Sequence, residues 1–212
     1  KASRMDAALA REPAEPVDMD KFLEDIAGFY TQTRRETGVD VIHMASGASE
    51  PIIVRVLENS LGQVLRNLID NALTFSPQPV SDDGPISSVR VQAHRVNDAD
   101  KDYVLVTIDD DGPGISAENL EDVFNRFYTY RPENASFGDH SGLGLAICRQ
   151  IMDAHNGTIT ASNRMDDGGK ISGARFTLRF PVRRVSEDGK KKKRKNPRNP
   201  KKTKTSRQKN RP

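Results

Sequence analysis

YVLVTIDDDGPGIS, residues 103–116, carries an apolar run straight into three consecutive carboxylates and two glycines set two residues apart. Tyr103 to Ile108 reads as a strand, because β-prone residues stand between turn signals. Gly112 and Gly114 allow sharp backbone turns and the close approach of a ligand. An Asp at such a strand end can accept a hydrogen bond from an exocyclic amine, which is how adenine is read. An ordinary Asp-Gly turn fits the same residues. A calcium loop would need Asp at 109, 111 and 113, and position 113 is Pro, so that reading is set aside.

Upstream lies SLGQVLRNLIDNALTFSP, residues 60–77. Leu61, Val64, Leu65, Leu68, Ile69, Ala72 and Leu73 recur at three- and four-residue spacing and predict a helix over 59–75 with one buried face. Gln63, Asn67 and Asn71 line another face. Residues four apart are neighbours on a helix, so Asn67 and Asn71 can offer two carboxamides to one small target. A solvated polar face would look the same. Downstream, FGDHSGLGLAI (residues 137–147) places Gly138, Gly142 and Gly144 just before a second helix, Leu143 to Ala154. Free N–H groups and the positive end of the helix dipole there suit phosphate oxygens. A flexible loop with glycine hinges is the plainer alternative. Leu145 stands where a P-loop has Lys, and no strand immediately precedes the glycines as the dinucleotide fingerprint requires.

Further out, Phe22, Leu23, Ile26, Phe29 and Tyr30 form an apolar stripe behind the capping candidates Asp18 and Asp20. Strands are expected at Val39 to Met44, Ile52 to Val56, Val89 to Val96, Thr158 to Ser162 and Arg175 to Phe180. Pro13 and Pro16 break the helix-like start of the chain. Strands neighbouring in sequence, followed by long helices, predict an α+β fold with a sheet covered on one face.

The chain has 212 residues, enough for one principal core. Its longest apolar runs fall far short of the roughly 20 residues that cross a bilayer, and its start carries no signal-peptide pattern. Cys148 stands alone, which excludes an intrachain disulfide and a cysteine zinc cluster and suits a reducing compartment. Residues 190–212 contain 13 of the 33 Lys and Arg and none of the 30 Asp and Glu, leaving 20 basic against 30 acidic residues, a net of −10, in residues 1–189. No nucleic-acid binding is therefore expected of the acidic body. The tail has no large apolar residue and is expected to be disordered, with a nucleic-acid or acidic-lipid contact as the functional alternative.

Taken in order, NLIDNALTFSP (67–77), DDDGPGI (109–115), VFNRFY (123–128) and SGLGLAI (141–147) resemble the N, G1, F and G2 boxes of histidine kinases in the GHKL ATPase superfamily. The resemblance covers roughly residues 18–182, and FYTYRPE with FGDHSGLGLAICRQIMDAHNGTI is further similar to the ChvG/ExoS type of alphaproteobacterial sensor kinase. It implies a two-layer α/β sandwich, the Bergerat fold, over residues 18–185. Residues 1–17 would then be the end of a dimerisation helix and its linker, and residues 186–212 the basic tail.

The resemblance also implies ATP and Mg²⁺ as cofactors. Asn71 becomes the Mg²⁺ ligand and Asn67 its partner near the phosphates. Asp110 holds the adenine amine between Gly112 and Gly114, with Phe75 against the base. Ser141, Gly142, Leu143, Gly144 and Leu145 close over the triphosphate, Arg126 or Arg131 offsets its charge, and His140 touches a phosphate. Tyr128 to Ser141 becomes the lid. Thr74 stands where a phosphate-contacting Lys is common, and Ala174 where Ser or Thr often sits.

ATPases of the superfamily carry a water-activating Glu at the position of Asn67, and a carboxamide is no general base. The resemblance thus favours phosphoryl transfer over a gyrase- or chaperone-like hydrolysis. The family phosphorylates a His followed by an acidic residue, whereas His43, His94, His140 and His155 precede Met, Arg, Ser and Asn. The acceptor is expected on a dimerisation and phosphotransfer domain outside the chain. The implied partners are that domain and a response regulator, and the implied parent is a homodimeric, membrane-anchored sensor with this domain in the cytoplasm. A nucleotide-sensing or protein-binding module without catalysis is the other reading of Thr74 and Ala174.

Overall fold

The computed structural model describes residues 7, 9–33, 38–77, 87–98, 101–128 and 142–182. The first strand, β1 (Ala14–Asp18), leads into helix α1 (Met19–Thr33). Asp18 caps that helix, its Oδ1 accepting from the Asp20 N–H at 3.2 Å. Asp20 turns instead to His43 Nε2 and to Ser46, tying α1 to the segment after β2 (Val39–Met44). Of the expected stripe, Leu23 and Tyr30 are buried with Met19 and Ala27, while Phe29 is 58% exposed. The helix is wound so that Tyr30 meets α2, donating to Asp70 Oδ1 at 3.0 Å, and this turns its neighbour Phe29 outward.

Strand β3 (Ile53–Leu57) runs directly into α2 (Glu58–Phe75). Helix α2 ends because Pro77 holds Ser76 extended, at φ −70 and ψ 137. Then follow β4 (Ser87–Asp98), β5 (Lys101–Asp109), two short 3-10 turns (Ala117–Asn119 and Asp122–Phe124), α3 (Gly144–Ala154), β6 (Thr158–Met165) and β7 (Ile171–Val182). Five strands form one mixed sheet in the order β2-β4-β5-β7-β6. Strand β2 is parallel to β4, across the long crossover that contains α2, and the remaining pairs are antiparallel.

Val89, Val91, Ala93, Val104, Val106, Ile108, Phe176, Leu178 and Phe180 face the helices with a two-residue period. Leu65, Leu68, Ile69, Ala72, Cys148, Ile151 and Met152 meet them from α2 and α3. The result is the expected two-layer α+β sandwich, with helices on one face of a mixed sheet. Strands β2 and β3, neighbours in sequence, do not pair with one another. β3 pairs instead with β1 in a separate antiparallel ribbon, from Ala14 opposite Leu57 to Asp18 opposite Ile53.

That ribbon draws part of the stretch expected as helix end and linker into the body. Proline cannot stay in a helix interior but is tolerated on an edge strand, and Pro16 lies in such a strand. Just before it, Glu12 accepts from the N–H groups of Asn59 (2.7 Å) and Ser60 (3.3 Å) and from the Ser60 hydroxyl. No side chain of α2's own flank caps the helix. Glu12 does so from 47 residues away. Burial pushes its carboxyl up, yet the hydrogen bonds from Ser60 and Asn59 outweigh this and leave it below its ordinary value. Its contribution is therefore present above the ordinary carboxylate value of 4.5 and is lost as pH falls through the lowered value of the folded state. Glu12→Ala is expected to cost about 1 kcal/mol of unfolding free energy. Urea denaturation at neutral pH, and again in acid where the difference should vanish, checks this.

Candidate functional site

The three carboxylates at the end of β5 have separate fates. Asp109 takes the Arg175 guanidinium two-pronged, Nε to Oδ1 at 2.7 Å and Nη2 to Oδ2 at 2.6 Å. Asp111 takes Arg90, the Ser88 N–H at 2.9 Å and Arg164 Nη1 at 3.0 Å. Burial would raise the Asp111 carboxyl, but those bonds prevail and hold it far below the usual range.

Asp110 is the most buried of the three, at 4% exposure, and no arginine among the described residues bonds its carboxylate oxygens. Its Oδ1 accepts from the Gly112 and Ala174 N–H groups, both at 2.9 Å, and no hydrogen bond among the described residues reaches Oδ2. Ser172 Oγ is the one fully enclosed side-chain polar atom without a partner among the described residues, so Oδ2 retains open surface. Burial pushes the Asp110 carboxyl up, opposed by the two N–H donors and by the charge of Arg164. A desolvated acceptor with one unused oxygen is suited to a ligand amine.

Gly112 fits against this carboxylate because it has no side chain. A Cβ there would stand 2.9 Å from Asp110 Oδ1 and 2.9 Å from the Phe75 carbonyl oxygen. The C-terminal end of α2 is thus seated on the Asp-Gly loop, which places the Phe75 main chain beside Asp110. Gly114 has φ +77 and lies against Asn163. Asn163 holds the next residue at both ends, accepting from Ile115 N–H at 2.8 Å and donating to its carbonyl at 2.7 Å. Asn163, Arg164 and Gly173 were not singled out in the sequence. Their partners lie 48 to 63 positions away, so no local spacing marks them.

Two turns earlier on α2, Asn67 Nδ2 donates to the Gly144 carbonyl at 3.3 Å and approaches Cys148 Sγ at 3.8 Å. No hydrogen bond among the described residues reaches its Oδ1. Asn71 is half-buried one turn further on, and Phe75 a turn beyond that. From Asn67 to Phe75 the helix advances about 12 Å. One face of α2 therefore connects the Asp110 end of the site with the start of α3. Burial pushes the Cys148 thiol up to about 12, which makes it a packing group behind Asn67.

Helix α3 starts after Gly142, at φ +66, and Leu143, with no side-chain cap. A helix start without a side-chain cap is the kind of end that can receive an anion. A Cβ on Gly142 would lie 2.8 Å from the Phe127 backbone, and Phe127 N–H donates to the Gly142 carbonyl at 2.8 Å. The base of the expected lid is closed by that bond, with Phe127 at φ +67 and 74% exposed. Arg126 is exposed on the same turn, and Leu145 packs against the core. Arg131, His140, Ser141 and most of the expected lid lie outside the described residues, as does the basic tail. Thr74 is exposed and bonds its hydroxyl back to the Asp70 carbonyl at 2.8 Å. Ala174 serves Asp110 through its N–H, for which its side chain is immaterial. Among the described residues no three His, Cys, Asp or Glu side chains cluster as a metal cage. The oxygen donors on that face of α2 are the carboxamides of Asn67 and Asn71, which suit a hard cation that keeps water and ligand oxygens around it.

Residues 56–184 match the family model described as histidine kinase-, DNA gyrase B-, and HSP90-like ATPase. The chain is 42% identical over 190 residues to the sensor protein ChvG of Agrobacterium fabrum, covering 88% of this chain and 30% of that protein. It is also 42% identical over 185 residues to the sensor protein ChvG of Rhizobium meliloti, covering 85% and 30%. Among solved structures, a mycobacterial sensor histidine kinase, MprB, superposes with a TM-score of 0.61 at 26% identity, over 80% of this chain and 98% of that one. The chain spans about a third of the length of the curated relatives it matches.

Proposed function

Because the chain belongs to the histidine kinase-, DNA gyrase B- and HSP90-like ATPase family, we propose that it is the ATP-binding catalytic domain of a two-component sensor histidine kinase. The unused Oδ2 of buried Asp110 carries this reading, since it is an acceptor aimed at one amine and matches the N6 amine of adenine. Phe75 would flank the base, beside Gly112 and Gly114. Two turns and one turn before Phe75 on α2, Asn67 and Asn71 would face the phosphates, with Gly142, Leu143, Gly144 and Leu145 at the start of α3. Arg126, Arg131, His140 and Ser141 border the same end in sequence.

Bound Mg²⁺, held by Asn71 with Asn67 beside it, would supply charge neutralisation at the transferring phosphoryl group. The chain's own residues orient the nucleotide and exclude water. Asn67 donates to Gly144 and has no basic atom to activate water, which favours transfer over hydrolysis.

The acceptor histidine is assigned to a dimerisation domain of the same parent protein, with onward transfer to a response regulator. His155 supports this, because both its nitrogens are occupied. Nδ1 donates to the Ile151 carbonyl at 2.7 Å and Nε2 accepts from Leu57 N–H at 2.9 Å. His43 is engaged by Asp20. No helix among the described residues is long and apolar enough to cross a membrane. We assign the domain to the cytoplasmic side of a membrane-anchored, homodimeric parent.

Calorimetry with ATP, with and without Mg²⁺, tests the proposal. Wild type should bind ATP and bind it more tightly with Mg²⁺, while Asn71→Ala should lose about tenfold of the Mg²⁺ enhancement and keep metal-free binding. Mg²⁺ enhancement surviving in Asn71→Ala would refute the metal assignment. Mixing the chain with the parent's dimerisation domain should label its histidine with acid-labile phosphate, and nucleotide binding without labelling would favour a non-catalytic module.

A further inference from the structure

We propose that Arg164 is a positioning residue of the base subsite, holding the Asp110 carbonyl and the two flanking carboxylates so that only the Asp110 side chain is left to meet the adenine amine. The inference rests on the adenine reading of Asp110 given above. Arg164 stands on β6, opposite Gly173 of β7. Its Nη1 donates to the Asp110 carbonyl at 2.6 Å and to Asp111 Oδ1 at 3.0 Å, and its Nε lies 3.6 Å from Asp109 Oδ2. One guanidinium thus touches all three consecutive aspartates. A planar fork can do this, whereas an ammonium, with its donors on a single atom, cannot span them.

The strand opposite is bare where the guanidinium passes. A Cβ on Gly173 would stand 3.2 Å from Arg164 Nη1 and 1.9 Å from the Asp110 carbonyl oxygen. Among the described residues the charged groups that act on Asp110 are Arg164 from β6, Arg90 from β4 and the neighbours Asp109 and Asp111. Arg90 from β4 is bound to Asp111, and Arg175 from β7 to Asp109. Arg164 holds the Asp110 main chain and its charge opposes the cost of burying the Asp110 carboxyl, and Arg90, bound to Asp111, is also attracted to Asp110. Without Arg164 the burial of Asp110 is opposed by the two N–H donors and Arg90 alone, and its carboxyl is pushed further up. A protonated Asp110 has lost the anionic acceptor that the base amine needs. Arg164 would then keep the subsite competent at mildly acidic pH as well as shaping it.

The test uses the whole chain as wild type, Arg164→Gln and Arg164→Lys. Carbon NMR of labelled Asp follows the Asp110 carboxyl in the nucleotide-free protein, and calorimetry follows ADP affinity between about pH 5 and about pH 8. Arg164→Gln should raise the Asp110 midpoint by about one unit or more. Its ADP affinity should fall at least about tenfold more at the acid end than at the alkaline end. Arg164→Lys should keep the midpoint near wild type but bind ADP more weakly at every pH, because charge is restored and the fork is not. If Arg164→Gln does not fold, that split in Arg164→Lys still decides the matter. An unmoved midpoint in Arg164→Gln, or ADP affinity falling equally at all pH in step with urea stability, would overturn the proposal. So would an Arg164→Lys indistinguishable from wild type. Failure of the wild type to bind any adenine nucleotide would sink the functional reading, and with it the base subsite, while the titration would still report whether Arg164 governs Asp110.

Discussion

Asp110→Asn is expected to weaken adenine-nucleotide binding by about a hundredfold or more while leaving the fold at least as stable as wild type at neutral pH. The two effects separate because the two carboxylate oxygens have separate tasks. Oδ1 accepts from the Gly112 and Ala174 N–H groups, and an Asn carbonyl oxygen can accept both. The amide nitrogen must then take the place of Oδ2, so that a donor faces the base amine. Losing a charge-assisted bond costs about 1.5–3 kcal/mol, and two opposed donors left without acceptors add about as much again.

Stability moves the other way. Burial raises the Asp110 carboxyl above its unfolded value. The stabilisation from this group is therefore full only below the unfolded value and is lost as pH rises through the folded one. At neutral pH the ionised carboxylate is a net cost to the fold, and a neutral amide removes it. ADP calorimetry beside urea unfolding near neutral pH measures both quantities. Unimpaired ADP binding would show that the base amine does not meet Asp110.

This division of labour explains what the sequence disclosed and what it withheld. Helix α2 was legible almost to the residue, because Leu61 to Leu73 repeat with the helical period and Pro77 stops them. The strands on either side of the Asp-Gly loop were legible too, and the fold class followed from their order. DDDGPGI marks a carboxylate cluster at the end of β5, yet its residues alone do not say which Asp is left unclaimed by an arginine. That choice is made by Arg175, Arg90 and Arg164, which claim Asp109 and Asp111 from three other strands. Contacts at such separations have no local period, so only resemblance to a family could pick out Asp110. The ribbon of β1 with β3 was hidden for the same reason. Val17 is the only large apolar residue in Ala14–Asp18, and the strand exists because β3 and the Glu12 cap on α2 hold it.

Gly173→Ala should, unlike Asp110→Asn, lose fold and ligand together. The added Cβ would lie 1.9 Å from the Asp110 carbonyl oxygen and 2.8 Å from its carbon, and the backbone there holds φ +148. Both obstructing atoms are main chain, so no side-chain rotation relieves the contact. Strand β7 must draw away from the end of β5, and the bonds that fail first join these two segments. They are Asp110 N–H to the Ala174 carbonyl at 3.0 Å and Ala174 N–H to Asp110 Oδ1 at 2.9 Å. A loss of about 3 kcal/mol or more is expected from overpacking combined with backbone strain. ADP affinity should fall with it, because the carboxylate loses one of its two anchors. Gly169 in the turn between β6 and β7 provides the control. It also has a positive φ, +76, but nothing stands within 4 Å of the position its Cβ would take. Gly169→Ala should cost only about 1 kcal/mol of strain and leave ADP affinity unchanged. Equal losses of stability in the two variants would mean that positive φ alone makes Gly173 necessary. A larger loss in Gly173→Ala, accompanied by lost ADP affinity, would identify the close passage of β7 over Asp110 as what builds the base subsite.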